Sequence, residues 1–268
     1  MTHTTTSSVI KKRPQSVVSE TMRRPLAVYY GPNELLTLAK YQRVIVQPGH
    51  FTAEKVSWLQ QRGVQVLAYL SLGEHDGEVA AWSESERQPE WGTIRVNVTH
   101  PDWKVRVQAQ IMSECLAFDG FFLDTVDVSP AEPQRLRAML KLVRLVRKWA
   151  GPRYLMVNRA SGLLHRLRGT VNGVLIESCF TSWAGGYHAY SKSELEYTAL
   201  LVEQARRFNL DVYALDYADT PNLRRFALRR AAALNLPIFI TNRELNLSQG
   251  YLPRLDSPSS AAHPIHSS

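Results

Sequence analysis

Eight short apolar runs recur along the chain, and between most of them lie stretches with helical spacing. The runs are Leu26 to Tyr30, Arg43 to Gln47, Val64 to Leu72, Gly120 to Asp124, Tyr154 to Asn158, Gly173 to Glu177, Val212 to Asp216 and Pro237 to Thr241. Segments this apolar read as strands buried on both faces, as in a parallel sheet. Repeated strand–helix units joined by right-handed crossovers give an α/β architecture. Eight of them within 268 residues predict a single-domain (β/α)8 TIM barrel.

The intervening segments carry helix signals. Thr52 caps a helix running to Arg62, with Gly63 as its stop. Pro101 to Phe118 reads as a helix with Trp103, Val107, Ile111 and Cys115 on one face, and Ser129-Pro130 opens the next. Ser193 with Glu196 offers a capping box for a helix running to about Phe208. Thr220-Pro221 opens the last helix, from Arg224 to Leu234.

Outside this pattern, residues 1–24 read as a disordered basic leader, 25–250 as the barrel and 251–268 as a loose Ser- and Pro-rich tail. The net charge of +8 is concentrated in that leader and on the helix with Arg135, Arg137, Lys141, Arg144, Arg147 and Lys148. No nucleic-acid motif accompanies these residues, so they read as a solvated face and no nucleic-acid partner is expected. Cys115 and Cys179 form no disulfide framework. No run is long enough to span a membrane. The polar start after Met1 shows no secretory signal, so the residues point to the cytoplasm.

The chemistry points to strand ends, where ligands gather in parallel α/β folds. Gly120-Phe121-Phe122-Leu123 stops at Asp124, with Asp127 three residues on, and Val174-Leu175-Ile176 stops at Glu177. Asp124 and Glu177 lie two strands apart at one end of the predicted barrel, the residue types a glycosidic cleavage requires. Around them stand Tyr30, Gln47, Glu74, Asn158, Asp216, Tyr217 and Asn242, with Trp183 and Tyr187 as an aromatic platform for a sugar. Each has a plainer reading: Tyr30 and Tyr217 as packing residues, Asp127 as a loop support or helix cap, a lone strand-end acid as a salt bridge.

Between Gly73 and Pro101 the rhythm breaks for a long excursion holding Glu74, Asp76, Glu78, Glu84, Glu86 and Glu90 against Arg87, with Trp82 and Trp91. Its acids are expected either to face solvent or to attract a cationic substrate. A metal site would need His75 or His188 beside the acids, but no diagnostic spacing such as HExxH occurs, and no metal is expected. Neither a G-x-S-x-G elbow nor a Gly-rich phosphate loop is present.

The chain resembles the family 114 glycoside hydrolases and their relatives, the endo-acting α-1,4-galactosaminidases. The resemblance runs through Tyr29-Tyr30-Gly31, Ala68 to Glu74, His100-Pro101-Asp102-Trp103, Gly120 to Asp127, Val157-Asn158-Arg159, Glu177 to Phe180 with Trp183, and Leu215-Asp216-Tyr217. It implies a barrel enzyme that cleaves inside galactosamine or N-acetylgalactosamine polysaccharide, with no cofactor. It carries the family's two carboxylates onto Asp124 and Glu177. A retaining mechanism would make Asp124 the nucleophile and Glu177 the proton donor, the reverse assignment being the alternative. By the same match Tyr30, Glu74, Asn158 and Asp216 would line the sugar site. Members of the family are typically exported, in contrast to the signal-free start of this chain. The rival class is a non-catalytic carbohydrate-binding barrel.

Overall fold

A computed structural model of the chain describes residues 23–84, 87–88 and 92–251. The leader up to residue 22, the tail from 252, and Glu86, Glu90 and Trp91 of the excursion lie outside the described residues. Eight parallel strands run in chain order around a nearly closed barrel: β1 (Arg24–Tyr29), β2 (Tyr41–Val46), β3 (Gln65–Ser71), β4 (Gly120–Asp124), β5 (Tyr154–Asn158), β6 (Gly173–Glu177), β7 (Asp211–Tyr217) and β8 (Ile238–Thr241). The segment after β8 ties across the seam between β8 and β1. Tyr30 N donates to Leu245 O, Tyr251 N to Ile240 O, and both Arg24 and the Tyr41 hydroxyl reach Gln249 O.

Strand interiors such as Val28, Ile45, Leu67, Phe121, Val157 and Ile176 are fully buried, which is why they read as unbroken apolar runs and not as alternating ones. The outer layer holds α1 (Leu35–Leu38), α2 (Ala53–Gln60), α3 (Pro101–Ala109), α4 (Pro133–Ala150), α5 (Lys192–Arg207) and α6 (Pro221–Ala233). Between β5 and β6 only a 3₁₀ turn, Leu164–Arg166, stands where the repeat would place a helix. Among the described residues no helix is long and apolar enough to cross a membrane.

Thr52 and Thr220 cap α2 and α6 as their sequences predict. Two other helix starts differ. The helix expected at Ser129-Pro130 begins at Pro133, because a proline biases the residue before it away from helical geometry and itself suits the first helical position. The capping box of α5 is Ser191 with Glu194, not Ser193 with Glu196. Tyr190 N is held by Phe180 O, so the chain is free to turn at Ser191, two residues earlier. Trp103, Val107, Ile111 and Cys115 are buried as expected, although α3 passes into a wider π-helical turn at Gln110–Glu114.

On α4, Arg137, Lys141, Arg144 and Lys148 face solvent while Met139, Leu142, Val143 and Val146 are buried. Arg135 and Arg147 do not belong to that solvated face. Arg147 donates to the carbonyls of Gly151, Arg153 and Thr170 and to Asn172 Oδ1, and Arg135 donates to Val96 O and Glu84.

Candidate active site

Ring order brings the strand-end residues together. β5 lies between β4 and β6, so its last residue, Asn158, sits between Asp124 and Glu177. Its Nδ2 donates to Asp124 Oδ1 at 2.8 Å and to Glu177 Oε2 at 2.5 Å. Each carboxylate takes a tyrosine hydroxyl on its other oxygen: Tyr69 to Asp124 Oδ2 at 2.9 Å, Tyr217 to Glu177 Oε1 at 2.6 Å. Each of the four carboxylate oxygens therefore accepts one protein donor, and the shared amide holds the two acids against one another.

The backbone is bent sharply where it leaves each of these strands. Thr125, Arg159 and Ser178, the residues directly after Asp124, Asn158 and Glu177, all lie in the left-handed region, at φ of 55°, 49° and 48°. Non-glycine residues adopt it at a cost, and such residues gather at functional sites. The Thr125 hydroxyl fixes the turn by accepting the N–H groups of Leu72 and Gly73, tying β4 to the end of β3. A Cβ on Gly73 would lie 2.4 Å from Thr125 O, so only glycine permits this approach.

Burial and the neighbouring Asp124 raise the pKa of Glu177, against the opposing pull of Tyr217, Asn158 and Arg159. Tyr30, Tyr69 and Tyr217 are pushed well above the usual phenol range, chiefly by burial and further by the carboxylates. They therefore stay protonated, and Tyr69 and Tyr217 act as donors. Tyr30 packs edge-on to Tyr69 at 5.2 Å between ring centres, which places it on the same wall.

The remaining predicted residues divide. Trp183 is half-buried beneath the Arg243 guanidinium, 4.3 Å from its ring centre, and Tyr187 accepts Arg243 N at 3.0 Å. Asp127 accepts the N–H and hydroxyl of Ser161, which joins the loops after β4 and β5. Glu74 opens a two-stranded antiparallel ribbon (Glu74–His75 with Ile94–Arg95), where its carboxylate takes Gln88 and Thr93. It borders a cavity of about 580 Å³ that begins at Tyr69 and Ser71 and is edged by Gln47, Asp76 and Trp82.

Asp216 stands apart from the lining role expected of it: it is fully buried, and its Oδ1 accepts Phe180 N, Thr181 N and the Thr181 hydroxyl. Burial pushes its carboxyl up to about 7 against those donors. Glu84, offered by the sequence as an attractor for cations, is instead bonded to Arg135 and Arg95. Among the described residues no group of three or more His, Cys, Asp or Glu side chains is placed to hold a metal ion.

Tyr69 and Arg159 join the site without having been singled out. Tyr69 shares its strand face with Ser71, and that two-residue spacing from a polar strand end was the signal available. Arg159 Nη1 donates to Glu177 O at 3.2 Å. Nothing local marks that role.

Comparison with solved structures yields the glycoside hydrolase domain of PelA from Pseudomonas aeruginosa, 23% identical, with a TM-score of 0.74 over 83% of this chain and 96% of that one. Aspergillus fumigatus Ega3, solved in complex with galactosamine, is 15% identical with a TM-score of 0.62 over 84% and 92%. The α-galactosidase TtGalA from Thermus thermophilus, 12% identical, gives 0.54 over 81% of this chain and 58% of its own. At these identities the likeness is one of fold. Comparison with curated proteins returns no match. The family model of glycoside hydrolases GH114, however, matches residues 37–256. With most of the barrel inside that match, the chain belongs to glycoside hydrolase family GH114.

Proposed function

We propose that the protein is an endo-acting hydrolase of α-1,4-linked galactosamine or N-acetylgalactosamine polysaccharide, working by a retaining two-carboxylate mechanism. The observation that carries this reading is the single amide of Asn158 bonded to both Asp124 and Glu177. Their near oxygens can be no farther apart than those two bonds laid end to end. Such closeness of the nearest oxygens favours the close carboxyl pair of retaining enzymes, roughly 5–5.5 Å apart, over the roughly 6.5–9.5 Å separation of inverting ones.

The assignment of roles follows from the raised pKa of Glu177. A carboxyl that burial makes hold its proton more tightly is suited to donate that proton to the leaving glycosidic oxygen. Asp124 attacks the anomeric carbon as the glycosidic bond breaks, giving a covalent glycosyl-enzyme. Glu177, now ionised, takes a proton from water as that water displaces Asp124 and regenerates both acids. The galactosamine in the Ega3 complex supports the choice of sugar. The cavity that Tyr69 lines adjoins Asp124 through the Tyr69–Asp124 bond, and its room for further sugar units supports cutting within a chain. Tyr30, Asn158, Trp183 and Tyr217 would contact the sugars at the cleavage point, with Glu74 and Asp127 at its margins.

The test is release of new reducing ends from α-1,4-galactosaminan at two degrees of acetylation. Wild type is expected to shorten the polymer internally, Asp124→Asn to abolish turnover, and Glu177→Gln to lower it by about 10²–10⁴-fold. Binding without release from either polymer would replace this reading with the inert carbohydrate-binding barrel.

A further inference from the structure

We propose that Asp216 and Thr181 are positioning residues that set the place of Glu177 by fixing the turn that follows it and the tyrosine that holds it. The inference rests on Glu177 being the proton donor.

The geometry is a closed circuit. β6 ends at Glu177, and its last paired position is Glu177 with Leu215 of β7. Beyond that pair the N–H of Tyr217 has no ladder partner from β6, and Thr181 supplies one: its hydroxyl accepts Tyr217 N at 3.2 Å. The same hydroxyl donates to Asp216 Oδ1 at 2.9 Å, and the N–H groups of Phe180 and Thr181 converge on that oxygen at 2.8 and 2.7 Å. Thr181 and Asp216 have no solvent exposure at all, so neither can touch a polysaccharide.

Successive residues of a strand point to opposite faces. Asp216 therefore grips the turn on one side of β7 while Tyr217 reaches Glu177 on the other, at 2.6 Å. The turn begins at Ser178, in the left-handed conformation, and such a bend persists only where its surroundings hold it. Three donors gathered on one buried carboxylate oxygen are such a hold. An apolar residue in place of Asp216 would leave the N–H groups of Phe180 and Thr181 buried without this acceptor.

The charged or titratable groups facing Glu177 are Asp124 from β4, Tyr69 from β3, Tyr30 after β1, Arg159 after β5 and Tyr217 from β7. The Tyr217 bond pulls the Glu177 pKa down, so loosening it moves the titration of Glu177 upward.

The experiment follows the side-chain carboxyl of Glu177 by carbon NMR titration in the full chain, assigned with Glu177→Gln, beside kcat and KM. Tyr217→Phe is expected to raise the midpoint. Thr181→Val, which keeps the shape and removes the hydroxyl, is expected to raise it in the same direction and to lower kcat on the order of 10²-fold with little change in KM. Thr181→Ser, which keeps the hydroxyl, restores both. A folded Thr181→Val with the wild-type midpoint, while Tyr217→Phe moves it, overturns the proposal. Should Thr181→Val not fold, Thr181→Ala is read in its place by the same criterion. The titration needs no turnover: an inactive chain whose midpoint still follows Thr181 removes the hydrolase reading and keeps the positioning circuit, and an active one whose midpoint ignores Thr181 does the reverse.

Discussion

Glu177 is where opposing forces in the site meet. Burial and Asp124 favour its neutral form, and Tyr217, Asn158 and Arg159 favour its anion. Because the first pair prevails, the folded state holds this proton more tightly than the unfolded chain does. The stabilisation this gives is fully present below the unfolded pKa and is lost as pH rises through the raised folded value. Glu177→Gln removes the titration. Its melting temperature should exceed that of wild type at pH 7–8, and the gap should close toward pH 4. A gap that is constant across that range would mean that the substitution acts through packing and not through charge. Much of this was beyond the reach of sequence. That Asp124 and Glu177 end strands is written in their apolar approaches, but the amide bridging them depends on β5 standing between β4 and β6. The burial of Asp216 depends on a turn from another strand folding over it.

At the scale of the elements, the left-handed turns after β4, β5 and β6 present the site residues. Ser178 is buried at φ 48°, a conformation glycine accepts freely and a β-branched side chain resists. Ser178→Gly should keep stability within about 1 kcal/mol of wild type, since relief of strain offsets the added freedom of the unfolded chain. Ser178→Val should lower stability by about 2 kcal/mol or more, seen as a lower urea midpoint. Equal tolerance of both would show that the turn is soft. The strands themselves were legible because burial on both faces leaves an unbroken apolar run. Helix starts were less so: Ser129-Pro130 and Pro133, like Ser191 and Ser193, offer competing signals a few residues apart, and at Ser191 a contact with Phe180 chooses between them. The inward ties of Arg135 to Val96 O and of Arg147 to Thr170 O were hidden because those acceptors lie 39 and 23 residues away.

Across the whole molecule the two mouths of the barrel do different work. The carboxyl mouth holds strained turns and a carboxylate pair held close by Asn158. The opposite mouth is closed by Arg43, whose guanidinium stacks 3.8 Å from the centre of the Tyr154 ring and donates to the Tyr213 hydroxyl at 2.7 Å, to Tyr154 at 3.1 Å and to Gln65 at 2.6 Å. Those partners start or lie near the start of β3, β5 and β7, so one side chain from β2 spans the ring. Its ion pair with Asp211, at 3.5 Å and with that acid more than half exposed, adds little. The hydrogen bonds and the ring contact carry the effect. Arg43→Met keeps the apolar stem, removes the donors and leaves the Tyr213 hydroxyl without this partner. The expected loss is about 2–4 kcal/mol, read as a lower urea midpoint with unchanged slope. Turnover per folded molecule should stay at the wild-type value, because none of the partners of Arg43 bonds to Asp124 or Glu177 and the two groups sit at opposite ends of the strands. A loss below about 1 kcal/mol would make Arg43 an ordinary screened surface cation. A fall in kcat in the folded variant would mean instead that the barrel relays strain from one mouth to the other.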